Sequence, residues 1–142
     1  MSYGGPAAAP APAVLVIASN GSGQNLTGNN VTVTGWTATT NVGSAFNATT
    51  GVFTAPSTKI YTFSVRLYAN TTGFSIDSMS LILNRATTNT TVASALANQG
   101  RQNLVQSVAL TSGQTIEVET FTAAGSPLLS VLAGANDFSV TG

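Results

Sequence analysis

Few side chains in this sequence can do chemistry, and their types set narrow limits. The 142 residues include four carboxylates, Asp77, Glu117, Glu119 and Asp137, and four cations, Lys59, Arg66, Arg85 and Arg101, with no His and no Cys. That absence excludes Ser/His/Asp and Cys/His nucleophilic systems and the common zinc sites. Glu117 and Glu119 stand two residues apart, so a strand through them sets both on one face. There they could pair as acid and base on a glycosidic bond, or join Asp77 or Asp137 in offering oxygens to Ca²⁺. No Asp-x-Asp-x-Asp-Gly loop accompanies them, and two acids on an exposed strand read as solubility charges. Arg66, Arg85 and Arg101 fall on different predicted strands and read as solvated edge charges, gathered into an anion site only if the fold brings them together. Gly21-Ser22-Gly23 and Gly4-Gly5 lack the strand-to-helix setting and the Lys of a phosphate loop, so they read as turns. Asn-x-Ser/Thr sequons begin at Asn20, Asn25, Asn30, Asn47, Asn70 and Asn89, as composition alone produces in a chain this rich in Asn and Thr. No catalytic, cofactor-binding or metal-ligating residue is assigned, and no cofactor is expected.

The elements that position these residues follow from composition and period. Hydrophobic residues make up 43% of the chain and charged residues only 6%, against about 25% charged in ordinary globular domains. The polar surface is supplied instead by Ser, Asn, Gln and 22 Thr, and Thr, being β-branched, suits an exposed strand face. With a formal net charge of zero, the chain lacks the electrostatic footprint of a nucleic-acid binder or of an anionic-membrane binder. Near-neutral surfaces self-associate, which favours a specific oligomer. The apolar run Val14 to Ala18 is too short to span a bilayer or to act as a signal h-region, so neither membrane insertion nor a signal peptide is expected of the sequence as written.

Residues 1–12, MSYGGPAAAPAP, read as an extended arm, and 13–142 as one domain. Val14 to Ala18 reads as a strand buried on both faces, and Val31 to Trp36 as a half-buried strand. In Lys59 to Ala69, Tyr61, Phe63, Val65, Leu67 and Ala69 share one face while Thr62, Ser64, Arg66 and Tyr68 share the other. Met79, Leu81 and Leu83 alternate with polar neighbours and Ile82, and the Ala-rich Val92 to Gly100 fits a strand or one helical turn, with strand favoured on context. Leu104 to Leu110, the Thr111-Ser112-Gly113-Gln114 turn and Thr115 to Thr122 predict a hairpin, and Leu128 to Ala133 and Asp137 to Thr141 close the chain. Eight to ten short strands between turn signals, with no helical period, predict an all-β antiparallel sandwich of jelly-roll type.

The block Phe46-Asn47, then Thr50-Gly51-Val52-Phe53-Thr54-Ala55-Pro56, then Ile60-Tyr61-Thr62-Phe63-Ser64-Val65 resembles the central signature of the complement component 1q globular domain. Ser80 to Arg85, Leu110 to Val118 and Asn136 to Val140 follow in that family's order, so the likeness spans roughly residues 13–142. Ser57-Thr58-Lys59 stands where the family has Pro-Gly, and the arm contains no Gly-x-y repeat of the collagen stalk that many members carry. The resemblance implies a jelly roll of the kind shared with tumour necrosis factor ligands, assembled as a homotrimer. Phe46, Phe53, Tyr61, Phe63, Val65, Leu81, Val118 and Phe138 are the expected core. Tyr68, Phe121 and Leu129, apolar residues on faces that read as polar, are the candidate trimer interface, with ordinary core positions as the alternative.

The expected function is a non-enzymatic structural or adhesive one. The leading form is a virion or phage decoration, knob or fibre-tip subunit that meets a capsid or other particle protein through residues 1–12. The alternative is a secreted or surface-anchored module that recognises protein or glycan through the loops Asn20 to Asn30 and Asn70 to Ser78. The expected location is the virion or an extracellular surface.

Overall fold

The computed structural model describes residues 3–69, 76–96, 101–123 and 125–142. Eleven strands are formed among them: β1 Val14–Ser19, β2 Gly28–Thr32, β3 Thr37–Asn41, β4 Phe46–Asn47, β5 Val52–Thr54, β6 Lys59–Tyr68, β7 Ser78–Leu83, β8 Thr90–Leu96, β9 Arg101–Leu110, β10 Thr115–Thr122 and β11 Asp137–Thr141. They make two antiparallel sheets, the first in the order β3-β1-β11-β6-β9 and the second in the order β4-β5-β10-β7-β8, with β2 also pairing with β10. Residues 3–12 precede the first strand and are exposed. The backbone of Ala13 exchanges two hydrogen bonds with that of Gly142, both 3.0 Å, which fastens the end of the arm to the end of β11.

Period-two alternation puts Tyr61, Phe63, Val65 and Leu67 of β6, with Phe138 and Val140 of β11, against Phe53, Met79, Leu81, Ile116 and Val118 of the second sheet, all of them buried. Phe138 is the pivot, stacked on Phe46 at 4.9 Å and tilted against Trp36 at 5.7 Å and Phe63 at 6.2 Å between ring centroids. Phe53 meets Tyr61 and Phe63 edge to face, a geometry worth about 0.5–1.5 kcal/mol per pair beyond burial. The Tyr61 hydroxyl donates to the Ser57 carbonyl at 2.7 Å, so its polar end is satisfied. Gly51 has φ +74°, and a Cβ there would lie 2.1 Å from the Val33 carbonyl oxygen, so the Thr-Gly-Val-Phe turn admits no side chain.

Several sequence expectations are corrected. β1 is not buried on both faces: a register shift between Val14 and Val16 turns Leu15 and Val16 inward and leaves Val14 and Ile17 exposed. The second expected strand begins earlier and ends at Thr32, while Trp36 is held outside the ladder by its indole N–H donating to the Val33 carbonyl. β3, of sequence TATTN, has no apolar alternation to announce it. The predicted β9–β10 hairpin is not formed, because β9 pairs with β6 in the first sheet and β10 with β5 and β7 in the second. The Gly113 N–H donates to the Ala55 carbonyl and the Ala55 N–H to the Gln114 carbonyl, so the turn docks on Ala55 and carries the chain from one sheet to the other. Leu128 to Ala133 is a loop whose only ladder contacts among the described residues are isolated bridges outside the strands, Leu128 to Asn25 and Leu129 to Ala69. β8 covers the first part of Val92 to Gly100, and residues 97–100 lie outside the described residues.

Candidate functional site

The outer face of the second sheet gathers charge that sequence reading spread apart. Glu117 and Glu119 share the outward side of β10, and Arg85, in the turn after β7, reaches both. Its Nη1 stands 3.2 Å from Glu117 Oε1 and also pairs with Glu119, while its Nη2 donates to the Asn30 carbonyl at 2.9 Å. The Thr32 hydroxyl donates to Glu117 Oε1 at 2.9 Å. Glu117 is buried to 8% exposure, and Ile82, its partner across the β7 ladder, is buried as well. These carboxylates are therefore not free solubility charges: one guanidinium pairs with both, offsetting one of their two charges, while fixing β2 and the β7 turn onto β10.

The other two carboxylates lie elsewhere. Asp77 accepts the Ala123 backbone N–H at 2.6 Å, and Asp137 is paired with Arg66 on the first sheet. The four acids that could have met around a cation or a glycosidic bond are divided among three places, each already bonded. Among the described residues no three acids are grouped to hold a metal.

The outer face of the first sheet has a different character. Thr62, Ser64, Ser107 and Ser139 stand on adjoining strands there, with the Thr62 and Ser107 hydroxyls 2.7 Å apart. Among these hydroxyls Ile60 is 64% exposed and Val105 68% exposed, and Ile17 stands open on β1. The ion pair on this face, Arg66 with Asp137, lies at one end of it.

The three residues expected at a trimer interface do not share a surface. Tyr68 is half-buried on the outer face of the first sheet, under the Arg101 guanidinium, whose carbon lies 5.2 Å from the ring centre. Phe121 is exposed on the opposite outer face, in line with Glu117 and Glu119. Leu129 is 1% exposed within the single chain, its N–H donating to the Gln24 carbonyl, and so belongs to the core. Sequence reading missed Ile17, Ile60 and Val105; for Ile60 and Val105 the available signal was an aliphatic residue on the more polar side of a long strand, and for Ile17, in the all-apolar run of β1, there was none. All eight expected core residues are buried. Of the sequon residues, Asn20 is buried with its amide donating to the Thr34 carbonyl, and Asn70 lies outside the described residues, as do residues 71–75 of the second expected recognition loop.

An antiparallel sandwich with this strand order, in which consecutive strands β9 and β10 belong to different sheets, defines a jelly roll of the tumour necrosis factor type. The C1q domain family model matches residues 18–127, and the chain belongs to that family, whose domains are typically trimeric, non-enzymatic recognition or structural modules. Comparison with curated proteins finds no match. Among solved structures, murine APRIL superposes with a TM-score of 0.67 at 13% identity, over 90% of this chain and 97% of that one. The globular domain of zebrafish complement 1qA gives 0.59 at 16% identity over 92% and 95%, and pika GITRL 0.54 at 16% over 88% and 94%. At these identities the likeness is one of fold.

Proposed function

We propose that the domain is a non-enzymatic, homotrimeric structural or adhesive subunit that packs against its own copies through the part of the first sheet's outer face that carries Ile17, Ile60 and Val105, and is held to a virion or phage particle by its N-terminal arm. The carrying observation is Ile17, Ile60 and Val105 standing exposed in a neutral field of Ser and Thr hydroxyls. The middle of that face is uncharged and partly aliphatic, so it loses little on leaving water, and the charges of Arg66, Asp137 and Arg101 stand at its Tyr68 end. The exposed Pro/Ala/Gly arm supports the attachment reading, because it leaves the sandwich at Ala13 beside Lys59 and Ile60 with little apolar surface of its own to fold around. Membership of a family of typically trimeric modules supports the assembly. The setting this implies is a virion or other exterior surface.

Light scattering behind size exclusion tests the assembly. The whole chain should give three times its 14.3 kDa mass, and a form lacking residues 1–12 three times its own smaller mass; a monomer from both would sink the trimer. Cross-linking from the arm to its particle tests the attachment, and undiminished particle binding without the arm would refute it. The second reading, a secreted or surface-anchored recognition module, is favoured by the way the Asn20 to Asn30 loop is braced. The Leu26 N–H donates to the Pro127 carbonyl and the Leu129 N–H to the Gln24 carbonyl, giving that end of the molecule a fixed surface.

A further inference from the structure

We infer that the cleft at the Tyr68 end of the first sheet binds the carboxylate of an acidic sugar through Arg101. The inference deepens the adhesive reading by naming a ligand class for one place on the surface.

Register builds the site. On adjacent strands β6 and β9, Arg66 stands opposite Asn103 and Tyr68 opposite Arg101, all four on the outward side. Such cross-strand neighbours have Cβ atoms about 4.5–5.5 Å apart. The loop before β11 forms the other wall with Leu132, Ala133, Gly134 and Ala135, enclosing a cleft of about 440 Å³, within the range of small-ligand sites. Arg66 is committed, its Nη2 donating to the Gly134 carbonyl at 2.8 Å and pairing with Asp137. Arg101 is not: the four carboxylate side chains of the protein are all described, and none lies within 4.0 Å of it. Stacking on Tyr68 holds the guanidinium in place without neutralising it. The cleft therefore keeps one uncompensated, preoriented cation.

A buried hinge residue keeps this geometry fixed. Asn136 is fully buried; its amide nitrogen donates to the carbonyls of Asn20 at 2.8 Å and Ser130 at 2.7 Å, and its amide oxygen accepts the Tyr68 N–H at 2.8 Å. One side chain thus locks the cleft wall, the Asn20 turn and the end of β6 together.

The lining selects the ligand. A planar guanidinium fork matches a carboxylate with two parallel hydrogen bonds. A single net positive charge suits a monoanion better than a phosphate chain or nucleic acid, which would draw a cluster of cations. The Asn103 amide and loop carbonyls can meet hydroxyls, while Leu132 and Ala133 offer an apolar surface to one face of a sugar ring. The volume holds a mono- or disaccharide.

The test is an NMR titration of the isotope-labelled full chain with N-acetylneuraminic acid and glucuronic acid, alongside N-acetylglucosamine as neutral sugar and N-acetylglutamate as non-sugar acid. Both acidic sugars should move the amides of residues 132–135 and the Arg101 Nε–H in a saturable way, with a dissociation constant of about 1 mM. N-acetylglucosamine should leave them still, and N-acetylglutamate should bind about tenfold more weakly. Arg101→Ala should weaken the acidic sugars about tenfold, and Arg101→Lys, which keeps the charge without the fork, about threefold. Equal binding of the neutral sugar or of N-acetylglutamate, unchanged binding by Arg101→Ala, or no perturbation at the cleft would each overturn the inference. Light scattering on the same samples separates the two readings: a trimer that ignores the sugars overturns the cleft alone, and a monomer that binds them overturns the assembly alone.

Discussion

On the outer face of the second sheet, β10 sets Glu117 and Glu119 side by side, and Arg85, Thr32 and Asn30 close over them. On the outer face of the first sheet, the middle strands carry hydroxyls and open aliphatic side chains, and charge is pushed to the ends. The same fold thus finishes one face inside the single chain and leaves the other unfinished. A chain with only four acids gathers two of them in one cluster on the second sheet, which keeps them away from the middle of the opposite face.

The comparison can be broken first at the core both faces share. Phe138→Ala removes the ring that touches Trp36, Phe46 and Phe63 and should cost about 3–5 kcal/mol in urea unfolding, with both faces lost together. Asn136→Ala would leave the Asn20 and Ser130 carbonyls and the Tyr68 N–H without their partner. A loss of about 2–3 kcal/mol is expected, and hydrogen exchange should quicken around residues 126–136 before it does in β10. Arg85→Ala strands two adjoining carboxylates and should cost about 2 kcal/mol, with Arg85→Met plus Glu117→Gln and Glu119→Gln recovering most of it. An equal loss from Arg66→Ala would erase the distinction between the faces. The smallest effect on the protomer should come from Ile60→Asp or Val105→Asp, within about 0.5 kcal/mol of the parent in unfolding of the single chain. These two changes should nonetheless reduce the light-scattering mass to that of one chain, and an intact oligomer from both would show that the open face is not the contact.

How far the sequence reveals this follows from what alternation can and cannot encode. β6 is legible because Tyr61, Phe63, Val65 and Leu67 recur at every second position with large, partly aromatic side chains, and Gly51-Val52-Phe53 is legible because a turn needing glycine precedes a large buried ring. Pairing is not. The β9–β10 hairpin was read from a turn sequence that is a turn in fact, but two strands beside one turn can each find a better partner, and here β6 and β7 supply them. Leu129 was placed outside because its buried setting is a loop with no period. The pairing of Arg85 with Glu117 and Glu119 bridges 32 and 34 positions and leaves no local trace. Arg66 and Arg101 likewise become neighbours only through the β6–β9 register. The outer-face aliphatics Ile60 and Val105 were the nearest to legible, since each interrupts a polar side in an otherwise regular strand.

The bonds between Ala13 and Gly142 decide how the domain would bear load. They lie at the Lys59 end of the first sheet, and the Arg101 cleft lies at the other, about 30 Å away along the ten residues of β6. A pull between a tether at residue 13 and a ligand at the cleft runs parallel to β1, β11 and β6, so their ladders are sheared, with every rung strained at once, instead of being unzipped one rung after another. The strand that receives the force from the arm, β1, is flanked on both sides, by β3 and β11, so detaching it would require two ladders to fail simultaneously.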